Sequence, residues 1–155
     1  MELRDYLMPG EYILGVMHNV NINNGEFHNI AVTNKRFIVF NAKKRGLLKK
    51  VQEITKMESL PFENGCGIRI KWRKRGLKTE RVILDVCWRV YRHSAQRLGC
   101  TGASSLMITG SSLGRTSPDD VLSMLSKVFN SIAHEKDVWD ESIGKTKLNT
   151  LQYTF

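Results

Sequence analysis

Cysteine is scarce in this chain: Cys66, Cys87 and Cys100 are odd in number, widely spaced and without a Cys-x-x-Cys pair. That pattern predicts neither a disulfide framework nor a zinc site, and it favours a reducing compartment. No apolar run approaches the ~20 residues that span a bilayer. Glu2, Arg4 and Asp5 precede any apolar stretch, so neither a signal peptide nor a transmembrane helix is expected. The expected location is cytoplasmic, with a peripheral position at a membrane open to it. No internal repeat or low-complexity segment stands out. The four histidines, His18, His28, His93 and His134, lack ligand spacing, and no metal or cofactor is expected.

Two apparent catalytic motifs fail in context. Gly110-Ser111-Ser112-Leu113-Gly114 has the nucleophile-elbow spacing, but that motif needs a strand-to-helix turn in a large α/β fold. No βαβ pattern precedes it, and a helix-cap signal at Ser117 intervenes. Gly144-Lys145-Thr146 resembles the end of a phosphate-binding loop, yet Trp139 occupies the position of its first glycine. An enzyme is not expected.

What the chain does have is ordinary globular usage: 155 residues, 41% hydrophobic and 25% charged. At this length a chain buries roughly two-thirds of its unfolded surface, enough for a core without staples. Strands are expected over residues 12–20, 27–33, 37–40 and, more weakly, 51–59. An Asn-rich turn over 19–25 separates the first two. Ile68, Ile70 and Trp72 alternate with Arg69, Lys71 and Arg73, as in a half-buried strand. Val82, Leu84, Val86, Trp88 and Val90 continue that period, which assigns both Trp72 and Trp88 to the core. Residues 93–104 read as a loop and 106–109 as a short last strand. At Ser117 the period changes. Ser117 is an N-cap, Pro118 fits the first helical position, and Asp119 and Asp120 face the positive end of the helix dipole. Val121, Leu122, Leu125, Val128, Phe129 and Ile132 then form one apolar stripe.

The net charge of +9 favours phosphate-bearing partners, and its cations cluster. Lys43, Lys44, Arg45, Lys49 and Lys50 surround Gly46-Leu47-Leu48, while Lys71, Arg73, Lys74, Arg75, Lys78 and Arg81 crowd the turn at Gly76. Both clusters are expected to be loops between strands. The first is the expected site for an anionic lipid surface, the second an additional basic patch.

Pro9-Gly10-Glu11, followed by Ile30-Ala-Val-Thr-Asn-Lys-Arg-Phe-Ile-Val-Phe40 with its turn at Thr33-Asn34-Lys35-Arg36, resembles the pleckstrin-homology superfamily, in its bacterial-type, GRAM and GLUE-like branches. The resemblance implies a mainly β fold, a partly open barrel of two nearly orthogonal antiparallel sheets capped by a C-terminal amphipathic helix, over residues 1–136. It also implies a non-enzymatic adaptor whose partner is an anionic phospholipid surface or a protein, bound through loops at the barrel end. In many such domains the loop between the first two strands holds the headgroup. Here residues 19–25 carry no Lys or Arg, which moves the expected contact to Lys43–Lys50. Nucleic acid is the alternative partner, read by Lys71, Arg73, Lys74, Arg75, Arg81 and Arg89. The tail, 137–155, carries Trp139, Leu148, Leu151, Tyr153 and Phe155. It is expected to dock as a strand on an exposed sheet edge, of its own barrel or of a neighbouring chain, the latter making a homo-oligomer.

Overall fold

A computed structural model describes residues 1–48, 50–62, 67–92, 98–109, 116–143 and 146–155. Among these residues the strands are β1 (Ile13–Met17), β2 (Asn29–Thr33), β3 (Arg36–Arg45), β4 (Val51–Pro61), β5 (Gly67–Arg75), β6 (Lys78–Arg92), β7 (Leu98–Thr109), β8 (Glu135–Ile143) and β9 (Thr146–Thr154). The helix α1 (Pro118–Ile132) lies between β7 and β8. One sheet has the order β1-β2-β3-β4 and the other β7-β6-β5-β9-β8. Together they make a mainly β protein, a curled half-barrel with one helix near the C-terminus, consistent with a pleckstrin-homology-like partly open barrel. The β8–β9 hairpin follows that helix. β9 inserts between β5 and β8, hydrogen-bonded on both sides, so the tail docks on its own barrel.

The first turn explains the residues that define it. Glu11 and Arg36 form a buried pair, Arg36 Nε donating to Oε2 at 2.9 Å and its terminal NH2 to Oε1 at 3.1 Å. Thr33 Oγ1 donates to Glu11 Oε2 at 2.6 Å, and the Met8 amide to Oε1 at 2.8 Å. Asn34 and Lys35 donate to the carbonyls of Gly10 and Pro9. The two short motifs are thus one lock between the N-terminal segment and the β2–β3 turn.

The run Phe37-Ile38-Val39-Phe40 does not alternate with polar residues because this sheet is covered on both faces. Ile30, Val32, Phe37 and Val39 face the main core, while Ala31, Ile38 and Phe40 meet Leu3, Val16, Ile54 and Met57 on the outside. The main core gathers residues of both sheets with Val121, Leu125, Val128 and Phe129 of α1. Ser117 Oγ accepts the Asp120 amide at 3.2 Å, as the cap signal requires. Leu122 and Ile132, also on the expected stripe, are only partly buried.

Four sequence expectations are corrected. Residues 98–104, expected in the 93–104 loop, belong to β7. Trp88 is 70% exposed, because the burial pattern breaks at Cys87, which takes the buried position; Trp72 does pack on the core. Cys87 and Cys100 form a disulfide between β6 and β7, with Cα atoms 5.5 Å apart. The basic "loops" are largely strands, as described below. Cys66, His93 and the motifs at 110–114 and 144–145 lie outside the described residues.

Tyr153 of β9 is fully buried, and its hydroxyl donates to Asn130 Oδ1 at 3.0 Å. Burial raises its pKa above the ordinary 10.0. The unfolded chain therefore releases this proton first, so the stability it contributes is present below about pH 10 and is lost as pH rises further. Tyr153→Phe is expected to cost about 1 kcal/mol at neutral pH and to flatten the alkaline loss. Denaturant midpoints from pH 7 to pH 11 would check it, and an unchanged alkaline slope would contradict the assignment.

Candidate functional site

The expected cations lie on two protruding hairpins. Lys43, Lys44 and Arg45 end β3, paired with Glu53, Gln52 and Val51 of β4, and Lys50 lies just before β4. Lys49 is outside the described residues. Gly46, Leu47 and Leu48 form the tip, with Leu47 and Leu48 fully exposed. Arg45 pairs with Glu53 at 2.5 Å. Lys43, Lys44 and Lys50 have no ion-pair partner among the described residues.

The second hairpin repeats the design. Lys71, Arg73, Lys74 and Arg75 are in β5, Lys78 and Arg81 in β6, and only Gly76-Leu77 make the turn. Arg73 stands opposite Arg81, a repulsive cross-strand pair relieved by Glu80, whose carboxylate lies 2.8 Å from the Arg73 guanidinium. Leu77 at the tip is 98% exposed.

At the root of the first hairpin, on the outer face of its sheet, lies a polar cleft of about 500 Å³ lined by His18, His28, Asn29, Asn41, Lys44 and Gln52 among others. Its lining holds no carboxylate. His18 Nδ1 and Asn29 Oδ1 are 3.0 Å apart across it. From this root a continuous path leads to the second hairpin. Thr116 Oγ1 donates to the His18 carbonyl at 2.5 Å, and its amide to the Asn19 carbonyl at 2.7 Å. Three residues on, Asp119 accepts from the Thr79 amide and hydroxyl at the base of the second hairpin. The Thr79 hydrogen bonds hold the Asp119 carboxyl below its ordinary 3.8 against the opposing effect of burial, helped by the charges of Lys74 and Lys78.

Both sets of cations are legible in the sequence, but their company is not. Leu77, between Gly76 and Lys78, was legible as an apolar residue at a turn, where no neighbour can bury it. His18 and His28, ten positions apart in the chain, line one cleft because β1 and β2 pair. Comparison with protein-family models, curated proteins and solved structures returns no match.

Proposed function

We propose that this is a non-enzymatic pleckstrin-homology-like module that docks on anionic lipid surfaces through the β3–β4 hairpin. The observation that carries the reading is the tip itself: two fully exposed leucines framed by cations on both arms. Phosphates alone would call for cations; leucines pushed out beyond them suit a bilayer, whose headgroups meet the charges while the acyl boundary takes the side chains. Lys43, Lys44, Arg45 and Lys50, at about 1 kcal/mol each near an anionic leaflet, supply up to about 4 kcal/mol, near the millimolar end of affinity. Leu47 and Leu48 add about 1.5–3 kcal/mol each if fully buried, before ordering costs.

No described helix is long and apolar enough to cross a membrane. With Cys87 joined to Cys100, cysteine usage no longer favours a reducing compartment, and a cytoplasmic, peripheral position is proposed on lipid charge alone. Pairing between copies through the tail falls to β8, the outer strand of its sheet.

Vesicle pelleting tests the reading. The protein is expected to sediment with vesicles containing phosphatidylserine but not with neutral ones, and less so as salt shortens the Debye length. Leu47→Ser with Leu48→Ser, and separately Lys43→Gln, Lys44→Gln and Lys50→Gln together, should weaken sedimentation while leaving stability within about 0.5 kcal/mol. Failure of the wild type to bind anionic vesicles at low salt, with retardation of a nucleic-acid duplex instead, would replace the membrane with nucleic acid as partner.

A further inference from the structure

Both hairpins carry the same tetrapeptide. Lys44-Arg45-Gly46-Leu47 and Lys74-Arg75-Gly76-Leu77 occupy equivalent places, two cations closing the outgoing strand, a glycine starting the turn, a leucine at the tip and lysine on the returning side. Gly46 and Gly76 both have positive φ, 107° and 64°, a conformation that favours glycine and throws the following residue outward. Leu47 and Leu77 are each almost completely exposed. Neither stretch, 42–51 or 71–79, contains a carboxylate.

The fold sends the two tips out of one end of the barrel. β3 runs from the Glu11–Arg36 lock toward its basic tip. β5 runs in the same sense, since it starts close after Phe62, whose amide donates to the Lys35 carbonyl at the lock end. At the other end Thr116 is bonded to His18 and Asn19, and Asp119 to Thr79. Three residues of chain reach at most about 11 Å, so the roots of the two hairpins are close neighbours. The β1–β2 connection ties them again. Its Asn41 contacts reach the first sheet and its Asn21 and Asn23 contacts reach Thr109 and Met107 of β7, level with Arg81 and Ile83 of β6.

We propose that the β5–β6 hairpin is a second membrane anchor, with Leu77 entering the same anionic bilayer that receives Leu47 and Leu48, and Lys74, Arg75 and Lys78 meeting its headgroups. The proposal rests on the membrane reading of the first hairpin. A rigid barrel presenting two weak anchors side by side turns the second contact into an intramolecular one, which multiplies affinity without any tighter single site. Asp119, beside Lys74 and Lys78, lies at the hairpin's base, behind the tip.

The test uses vesicles of phosphatidylcholine with phosphatidylserine and two kinds of variant. Leu77→Ser combined with Lys74→Gln, Arg75→Gln and Lys78→Gln is expected to weaken binding at least about tenfold, since each cation near an anionic leaflet is worth roughly fivefold. Circular dichroism should show an unchanged melting temperature, because the altered side chains are at the surface. In a Cys66→Ser background, Leu47→Cys and Leu77→Cys each carry a polarity-sensitive fluorophore, and both labels should shift to the blue on adding vesicles. A shift at position 47 alone, with the second-hairpin variant binding like wild type, would overturn the second anchor and leave the first reading standing. No shift at either position, and no sedimentation, would overturn both.

Discussion

Glu11→Ala is expected to destabilise the fold by about 3–5 kcal/mol, the usual consequence of removing one partner from a buried ion pair. The Glu11 side chain is fully buried and that of Arg36 only 10% exposed. Alanine would leave the guanidinium with the Tyr6 carbonyl at 2.6 Å and a long contact to Ser59, and would strip acceptors from Thr33 and the Met8 amide. In a domain of this size the melting temperature should fall by about 10 °C or more. Glu11→Leu with Arg36→Met removes both charges and should recover most of the loss. A double variant no better than Glu11→Ala would show that the lock is not held by its charges. The pair also sets an acid limit. Burial raises the Glu11 pKa, but hydrogen bonds from Arg36, Thr33 and the Met8 amide, with the Arg36 charge, together bring it below the ordinary 4.5. Its stabilising contribution is therefore present above about pH 4.5 and is lost as pH falls through the lower folded value.

Phe129→Ala should cost a similar amount, about 3–5 kcal/mol. Phe129 has no solvent exposure, and its ring lies 6.2 Å from Phe62, 5.6 Å from Tyr153 and 5.8 Å from Phe155. One side chain thus joins α1, the β4–β5 link and β9. The loss should be smaller when Tyr153→Ala is already present, so that the double variant loses less than the sum of the single ones, since neighbours in one cluster share their contacts. Urea denaturation of the single and double variants measures that coupling. Strict additivity would mean that β9 and α1 are stabilised separately.

The elements legible in the sequence are those whose burial is one-sided. Residues 68–72 and 82–86 alternate because one face meets the core, and α1 announces itself by Ser117, Pro118 and its stripe. The basic hairpin arms carry no strand signal because residues 43–45 and 74–75 project beyond the core, where no period can arise. Residues 98–104 read as loop because Gly99, Gly102, Ala103 and Ser104 have low strand propensity; pairing with β6 overrides it. The Cys87–Cys100 pairing depends on the β6–β7 register, which sets Cys87 opposite Ala103 and Cys100 opposite Val90, and which spacing alone does not encode. For the candidate site, the cations were plain in the sequence. Their arrangement at one end was not, because it rests on Thr116 and Asp119, two small polar residues with no distinguishing pattern.

The place of β9 has a consequence for how the chain is made. β5 lies between β6 and β9, and Arg69 and Gln152, joined at 2.8 Å, are 83 residues apart in sequence. On a ribosome, the β1–β4 sheet and its N-terminal lock can assemble early from near neighbours. β5 must wait with one edge open until β9 emerges. Such distant pairing slows folding and leaves an unpaired edge in the meantime, where strands of other chains can bind. The positive charges of Arg69, Lys71 and Arg73 along that edge would keep two nascent copies apart during the wait.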